Sequence, residues 1–165
     1  MDAETLERLR RSGIRIDREG RFVHEGGEVR HEGLRRALFR WLDAEPDGRV
    51  VLRLDERRFA YLDVDDTPLV ARAARRVTDG DGERILLALT DGSEEPLDPA
   101  TLTVDDAGVL RARVRAGKLE ARLDTSSAAA LADRLSEEGP GRWVLALAGR
   151  RHPIERRPPR PAVSP

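Results

Sequence analysis

Apolar positions along the chain follow two periods, and the period changes several times. Ile14-Arg15-Ile16-Asp17 and Arg21-Phe22-Val23-His24 are short β-type runs around Arg18-Glu19-Gly20, which predicts a hairpin whose Gly20 is free to take a positive φ. Leu34, Leu38, Trp41 and Leu42 then recur at i, i+4, i+7 and i+8, predicting a helix over 31–43. After the turn signal Pro46-Asp47-Gly48, Val50 to Leu54 and Phe59 to Val64 form a second predicted hairpin. Beyond Asp65-Asp66-Thr67-Pro68 come predicted strands at 69–78, 83–90, 102–104, 109–114 and 119–123, punctuated by Asp-Gly turns near 79–82 and 91–93. Asp124-Thr125-Ser126-Ser127 offers cap oxygens to a helix over 126–137 with the stripe Ala128, Leu131, Ala132 and Leu135. Gly139-Pro140-Gly141 stops it, and Trp143 to Ala148 returns as a buried strand. A further short helix is expected over 2–11, carrying Leu6 and Leu9 and ended by Ser12-Gly13.

These elements imply an α+β fold, mainly antiparallel hairpins and a meander with about three helices, in two small parts. The helix-and-hairpin part spans 1–66 and the meander with its covering helix 67–154. An Arg/Pro tail at 155–165, rich in Pro158-Pro159 and without periodic apolar residues, is expected to be disordered.

Composition narrows the function classes. Thirty basic residues face 31 acidic ones, so no bulk attraction to nucleic acid or anionic lipid is expected. Lys118 is the single lysine. The remaining basic residues are arginine, and together with abundant Ala, Gly, Pro and Asp this reads as a compositional bias of GC-rich coding rather than a phosphate-binding signature. The chain has no cysteine, which excludes disulfides, thiolate nucleophiles and sulfur-ligated metals. The charged N-terminus and the lack of any long apolar run predict neither secretion nor a membrane anchor, and a cytoplasmic location follows as an expectation.

The order Ile14-Arg15-Ile16-Asp17-x-x-Gly20, His24-Glu25-Gly26, Leu34 and Leu38-Phe39, Asp47-Gly48 and Leu52, then Val64-Asp65-Asp66-Thr67-Pro68 resembles a bacterial family, that of domain of unknown function 1285. The likeness continues through Lys118-Leu119-Glu120-Ala121-Arg122-Leu123 to the strand Trp143 to Ala148, and spans roughly residues 12 to 149. The chain departs from the family pattern after Gly149, where no aromatic follows, so it resembles a divergent member. The resemblance implies a small bacterial cytosolic protein with a mixed helix and strand fold in two parts, and no agreed activity.

Candidate chemistry is sparse. His24 and His31, with Glu25, Glu28 and Glu32 beside them, offer imidazole and carboxylate to a metal, but they fall in different predicted elements, unlike a same-face i, i+4 pair. A hairpin-edge role for His24 and a helix-start role for His31 account for them without metal. Asp79-Gly80-Asp81-Gly82-Glu83 lacks the remaining ligands of a calcium loop and reads as a turn. Asp63, Asp65 and Asp66 could bind a cation or polar ligand, although neighbours on a strand point to opposite faces. Ser126, Ser127 and Asp124 read as caps, and phosphate-binding glycine motifs are missing. The basic segment Arg150 to Arg160 is the one dense positive stretch; with few aromatic residues to stack bases, nucleic acid is not an expected partner. The sequence thus predicts a non-catalytic binding or interaction module without cofactor, whose partner is a small polar ligand or a protein. Its best site residues are His24, Glu25, Asp65 and Asp66. The alternative is an enzyme using His24 with an acid such as Asp66.

Overall fold

The computed structural model describes residues 10–158. The first six strands are β1 (Arg11–Ile16), β2 (Phe22–His24), β3 (Gly27–Glu28), β4 (Leu42–Ala44), β5 (Val50–Arg53) and β6 (Phe59–Val64), with α1 (Glu32–Trp41) between β3 and β4. They form one sheet in the order β3-β2-β1-β6-β5-β4. The expected hairpins are present as β1–β2, with Ile14 opposite His24, and β5–β6, with Leu52 opposite Ala60. They are joined by a parallel pairing of β1 with β6.

A second sheet takes β7 (Leu69–Asp79), β8 (Gly82–Leu89), β9 (Glu94–Pro96), β10 (Thr103–Val104), β11 (Leu110–Val114), β12 (Leu119–Leu123) and β16 (Glu155–Arg156), in the order β16-β10-β11-β12-β7-β8-β9. It is not a simple meander, because β12 pairs with β7 and β10 with β16 in parallel. The strands β13 (Leu135–Glu137), β14 (Trp143–Leu147) and β15 (Arg150–Pro153) form a small antiparallel sheet, and α2 (Thr125–Leu131) precedes it.

The mixed α+β character stands, with strands dominant, but three expectations are corrected. The described residues hold two α-helices rather than about three. The helix expected at 2–11 lies outside the described residues except for its end: Arg10 is a turn residue, Arg11 begins β1, and Ser12-Gly13 sit inside that strand. The helix expected over 126–137 stops at Leu131, tightens into a 3-10 turn at Ala132–Arg134, and gives way to β13, where Leu135 pairs with Leu145. A tertiary partner strand there outweighs helical periodicity, and Gly139-Pro140-Gly141 turns a hairpin instead of stopping a helix. Last, the tail does not begin at 155. Glu155–Arg156 is a strand and the Arg157 N–H donates to the Val104 carbonyl at 2.7 Å; residues 159–165 lie outside the described residues.

One hydrophobic cluster joins the sheets, taking Ile16, Phe22 and Leu62 from the first and Leu69, Leu87 and Leu119 from the second. Phe22 meets Phe39 of α1 edge to face at 4.7 Å. Polar clamps reinforce the seam. The Arg115 guanidinium donates to the carbonyls of Phe39 and Leu42 at the end of α1 and to Asp91, so a residue of the β11–β12 turn of the second sheet caps a helix packed on the first. The β1–β2 loop is held likewise: Asp17 accepts the N–H groups of Glu19 and Arg21, and Arg72 and Arg122 donate to the carbonyls of Glu19 and Arg18. Among the described residues no helix is long and apolar enough to cross a membrane.

Candidate functional site

The cavity of interest starts from an irregularity in the first sheet. In the parallel β1–β6 ladder Arg11 is opposite Tyr61, and the next matched pair is Arg15 with Asp63, so β1 spends more residues on the interval than β6 does. The extra length is taken up at Gly13, whose φ of +69° suits glycine. Ser12 fills part of the gap, its hydroxyl donating to the Tyr61 carbonyl at 2.8 Å and accepting from the Ile14 N–H at 3.1 Å. Beside this bulge lies a cavity of about 540 Å³, lined by Arg11, Gly13, Ile14, Arg49, Val50, Tyr61, Leu62, Asp63 and Val64.

The lining has two characters. Leu62 belongs to the core and Ile14, Val50 and Val64 pack against it while staying only partly buried, so the apolar part of the lining is the margin of the core. The lining also carries Arg11, Arg49, Tyr61 and Asp63. Arg49 lies over the Tyr61 ring, 4.3 Å from guanidinium carbon to centroid, and its Nε donates to Asp47 at 2.8 Å. Arg11 is exposed and has no carboxylate partner among the described residues.

The four residues singled out in the sequence are not brought to one place. His24 ends β2, exposed and without a carboxylate partner among the described residues, its ring against Gly13: a Cβ built there would lie 3.8 Å from the imidazole. It therefore stands behind one wall of the cavity. Glu25 opens the two-residue β2–β3 turn with Gly26, both at positive φ, and is exposed. Asp65 continues the β1–β6 ladder through its N–H to the Ile16 carbonyl, and its carboxylate pairs with Arg15 at 2.5 Å. Asp66 turns into the seam between the sheets, where Arg111 grips both carboxylate oxygens at 3.0 and 3.1 Å and Arg122 Nε lies at 3.4 Å. Asp66 lines two smaller clefts, of about 280 and 170 Å³, and neither includes His24.

The Asp66 neighbourhood is a closed ionic knot. Arg111 is buried, and burial works against its charge, but Asp105 and Asp66 hold its pKa above the usual arginine value. Burial pushes the Asp105 carboxyl up, yet the Arg111 guanidinium and the N–H groups of Val109 and Ala107 hold it below the ordinary range. Thr67 is buried beside it, donating to the Leu69 carbonyl and accepting from the Arg122 N–H. The segment Val64 to Pro68 thus works as the joint between the two sheets.

His31 caps α1 through Nδ1, which accepts the Leu34 N–H at 3.1 Å. Among the described residues no three His, Asp or Glu side chains converge on a point where a metal ion could sit. Arg11, Arg49 and Tyr61 were not legible as site residues. The signal that could have found them is Gly13 within an otherwise β-type run, since an interior strand glycine marks a bulge.

No family model and no curated protein matches the chain. Two solved structures are similar to it. A DUF1285 family protein from Silicibacter pomeroyi superposes with a TM-score of 0.71 at 24% identity, over 88% of this chain and 80% of that one. A DUF1285 family protein from Shewanella baltica gives a TM-score of 0.56 at 15% identity, over 68% of this chain and 84% of that one. The fold is therefore that of DUF1285 family proteins, in agreement with the resemblance carried by the ordered motifs.

Proposed function

We propose that this protein is a divergent DUF1285 family member acting as a non-catalytic binding module, and that its ligand is a small molecule held in the cavity beside the β1–β6 bulge. The observation that carries the reading is the cavity itself. Its volume of about 540 Å³ falls within the ~300–1,000 Å³ usual for small-molecule sites, and it combines apolar lining residues with a few placed polar groups. The bulge supports the same reading, because interruptions of this kind recur next to functional sites. A bacterial, cytoplasmic setting belongs to the proposal, in keeping with the cysteine-free sequence and the bacterial sources of the two similar structures.

An enzyme built on His24 and Asp66 finds no support in the arrangement, since Asp66 is consumed by Arg111 and Arg122 and the two residues line no common cleft. The test is amide NMR of the full chain titrated with a library of small polar and amphipathic compounds. Shifts clustering at residues 11–14, 49–50 and 61–64, abolished by Val50→Trp in a variant with unchanged circular dichroism, are expected. Shifts that cluster elsewhere and survive Val50→Trp would refute the assignment.

A further inference from the structure

The first sheet has a core face and an outer face. Leu52 and Leu62 belong to the core cluster and Val50 and Val64 pack against it, so alternation turns Val51, Tyr61 and Asp63 the other way. Phe59 lies two residues before Tyr61 and shares its face, their rings meeting edge to face at 5.7 Å. Val51, opposite Tyr61 in the β5–β6 ladder, is nonetheless fully buried, although it is no part of the core cluster. Something therefore covers this face. Both described helices give buried apolar side chains to the core instead, Leu38 and Phe39 from α1 and Leu131 from α2. Arginine stems supply part of the cover, Arg53 lying 4.9 Å from the Phe59 ring centroid and Arg49 over Tyr61, yet both aromatic residues stay partly exposed.

The chain delivers a further segment to this place. Nine residues precede Arg10, whose carbonyl accepts the Tyr61 N–H at 2.6 Å and whose guanidinium lies 4.1 Å from the Phe59 ring centroid. They read Met1-Asp2-Ala3-Glu4-Thr5-Leu6-Glu7-Arg8-Leu9, with Leu6 and Leu9 spaced as neighbours on one helix face and three acids beside one arginine. Nine helical residues span about 13 Å. That is enough to run from β1 across β6 to β5, two strand spacings or ~10 Å away. The charges are compatible as well. Arg11 and Asp63, both exposed, have no ion-pair partner among the described residues, Arg49 has a further partner beyond Asp47 and the Tyr61 ring, and the segment carries both signs.

We propose that the outer face of the first sheet is the docking site for residues 1–9 of the same chain, with Leu9 against Phe59 and Tyr61 and Leu6 reaching Val51. Because Arg11, Arg49, Tyr61 and Asp63 also line the cavity beside the bulge, the docked segment borders that cavity. The docking does not depend on what the cavity binds.

Methyl and aromatic NMR of the full chain tests this, with Tyr61, the single tyrosine, as an unambiguous reporter. The Leu6 and Leu9 methyls should show cross-relaxation to the Phe59 and Tyr61 rings and to the Val51 methyls within one molecule. Leu6→Asp with Leu9→Asp should abolish these contacts, shift the Tyr61 ring signals and lower the melting temperature by at least ~4 °C, whereas Leu6→Met with Leu9→Met should keep the Tyr61 signals and the melting temperature near those of the parent. Absence of cross-relaxation between these leucines and the outer face would overturn the proposal, and that result is read on the parent chain even where the Asp variant fails to fold. The same contacts arising only between differently labelled molecules, with a doubled mass in light scattering, would also overturn it and make a second copy the occupant. Ligand titration of the parent tests the cavity separately, so failure of the docking and failure of the binding reading are told apart.

Discussion

At Gly20 a missing Cβ lets the β1–β2 loop press on the second sheet. Its φ is +81°, and a Cβ would lie 3.1 Å from the side chains of Val70 and Thr90. Gly20→Ala is therefore expected to lower stability by about 1–3 kcal/mol, read as an earlier urea midpoint; an unmoved midpoint would mean that the loop is not clamped. Asp91 carries a pH signature. Burial pushes its carboxyl up, but the Ser93 hydroxyl and the Arg115 guanidinium hold it below the usual aspartate range. With the folded-state pKa depressed, its contribution is present above the unfolded value of about 3.9 and is lost as pH falls through the folded value. Asp91→Asn should be less stable at pH 7 by about 1–3 kcal/mol and show a shallower acid limb than the parent. Parallel acid limbs in the two proteins would contradict the assignment.

Among elements, α2 separates two leucines that the sequence pattern treats as equals. Leu131 is fully buried at its end, whereas Leu135 is only partly buried in β13. Leu131→Ala should cost about 2–5 kcal/mol and Leu135→Ala clearly less, in parallel denaturant melts. Equal losses would restore the longer helix. The difference also shows what local pattern can and cannot convey. The β1–β2, β5–β6 and β7–β8 hairpins were legible because turn residues such as Asp79-Gly80 act within a few positions of the strands they join. The parallel pairs β1–β6 and β7–β12 were not, since nothing local announces a partner some fifty residues away. The candidate site divides the same way. His24 was noticed for its chemistry, but Arg11 and Arg49 become neighbours of one cavity only through the bulge, a product of long-range pairing. Ser12-Gly13, read as a helix stop, was the local trace of that bulge.

For the molecule as a whole, core and ionic joint hold the seam, and the C-terminal strand closes one edge of the second sheet. Arg157 pairs with Glu120 and Arg156 with Asp106, so β16 ties residues 155–157 to the second sheet. Ending the chain after Ile154 should remove about 1–2 kcal/mol and lower Tm by ~2–8 °C, while ending it after Pro158 should not; calorimetry of both truncations decides the matter. The central place of β1 has a consequence in time. It is among the first described residues to leave the ribosome, yet β6, which covers its second edge, follows some fifty residues later. At ~5–20 residues per second the nascent β1–β2–β3 unit waits roughly 2–10 s with that edge open to any passing strand. Translational pauses between residues 24 and 59 should thus be the moments at which this chain is most prone to aggregate.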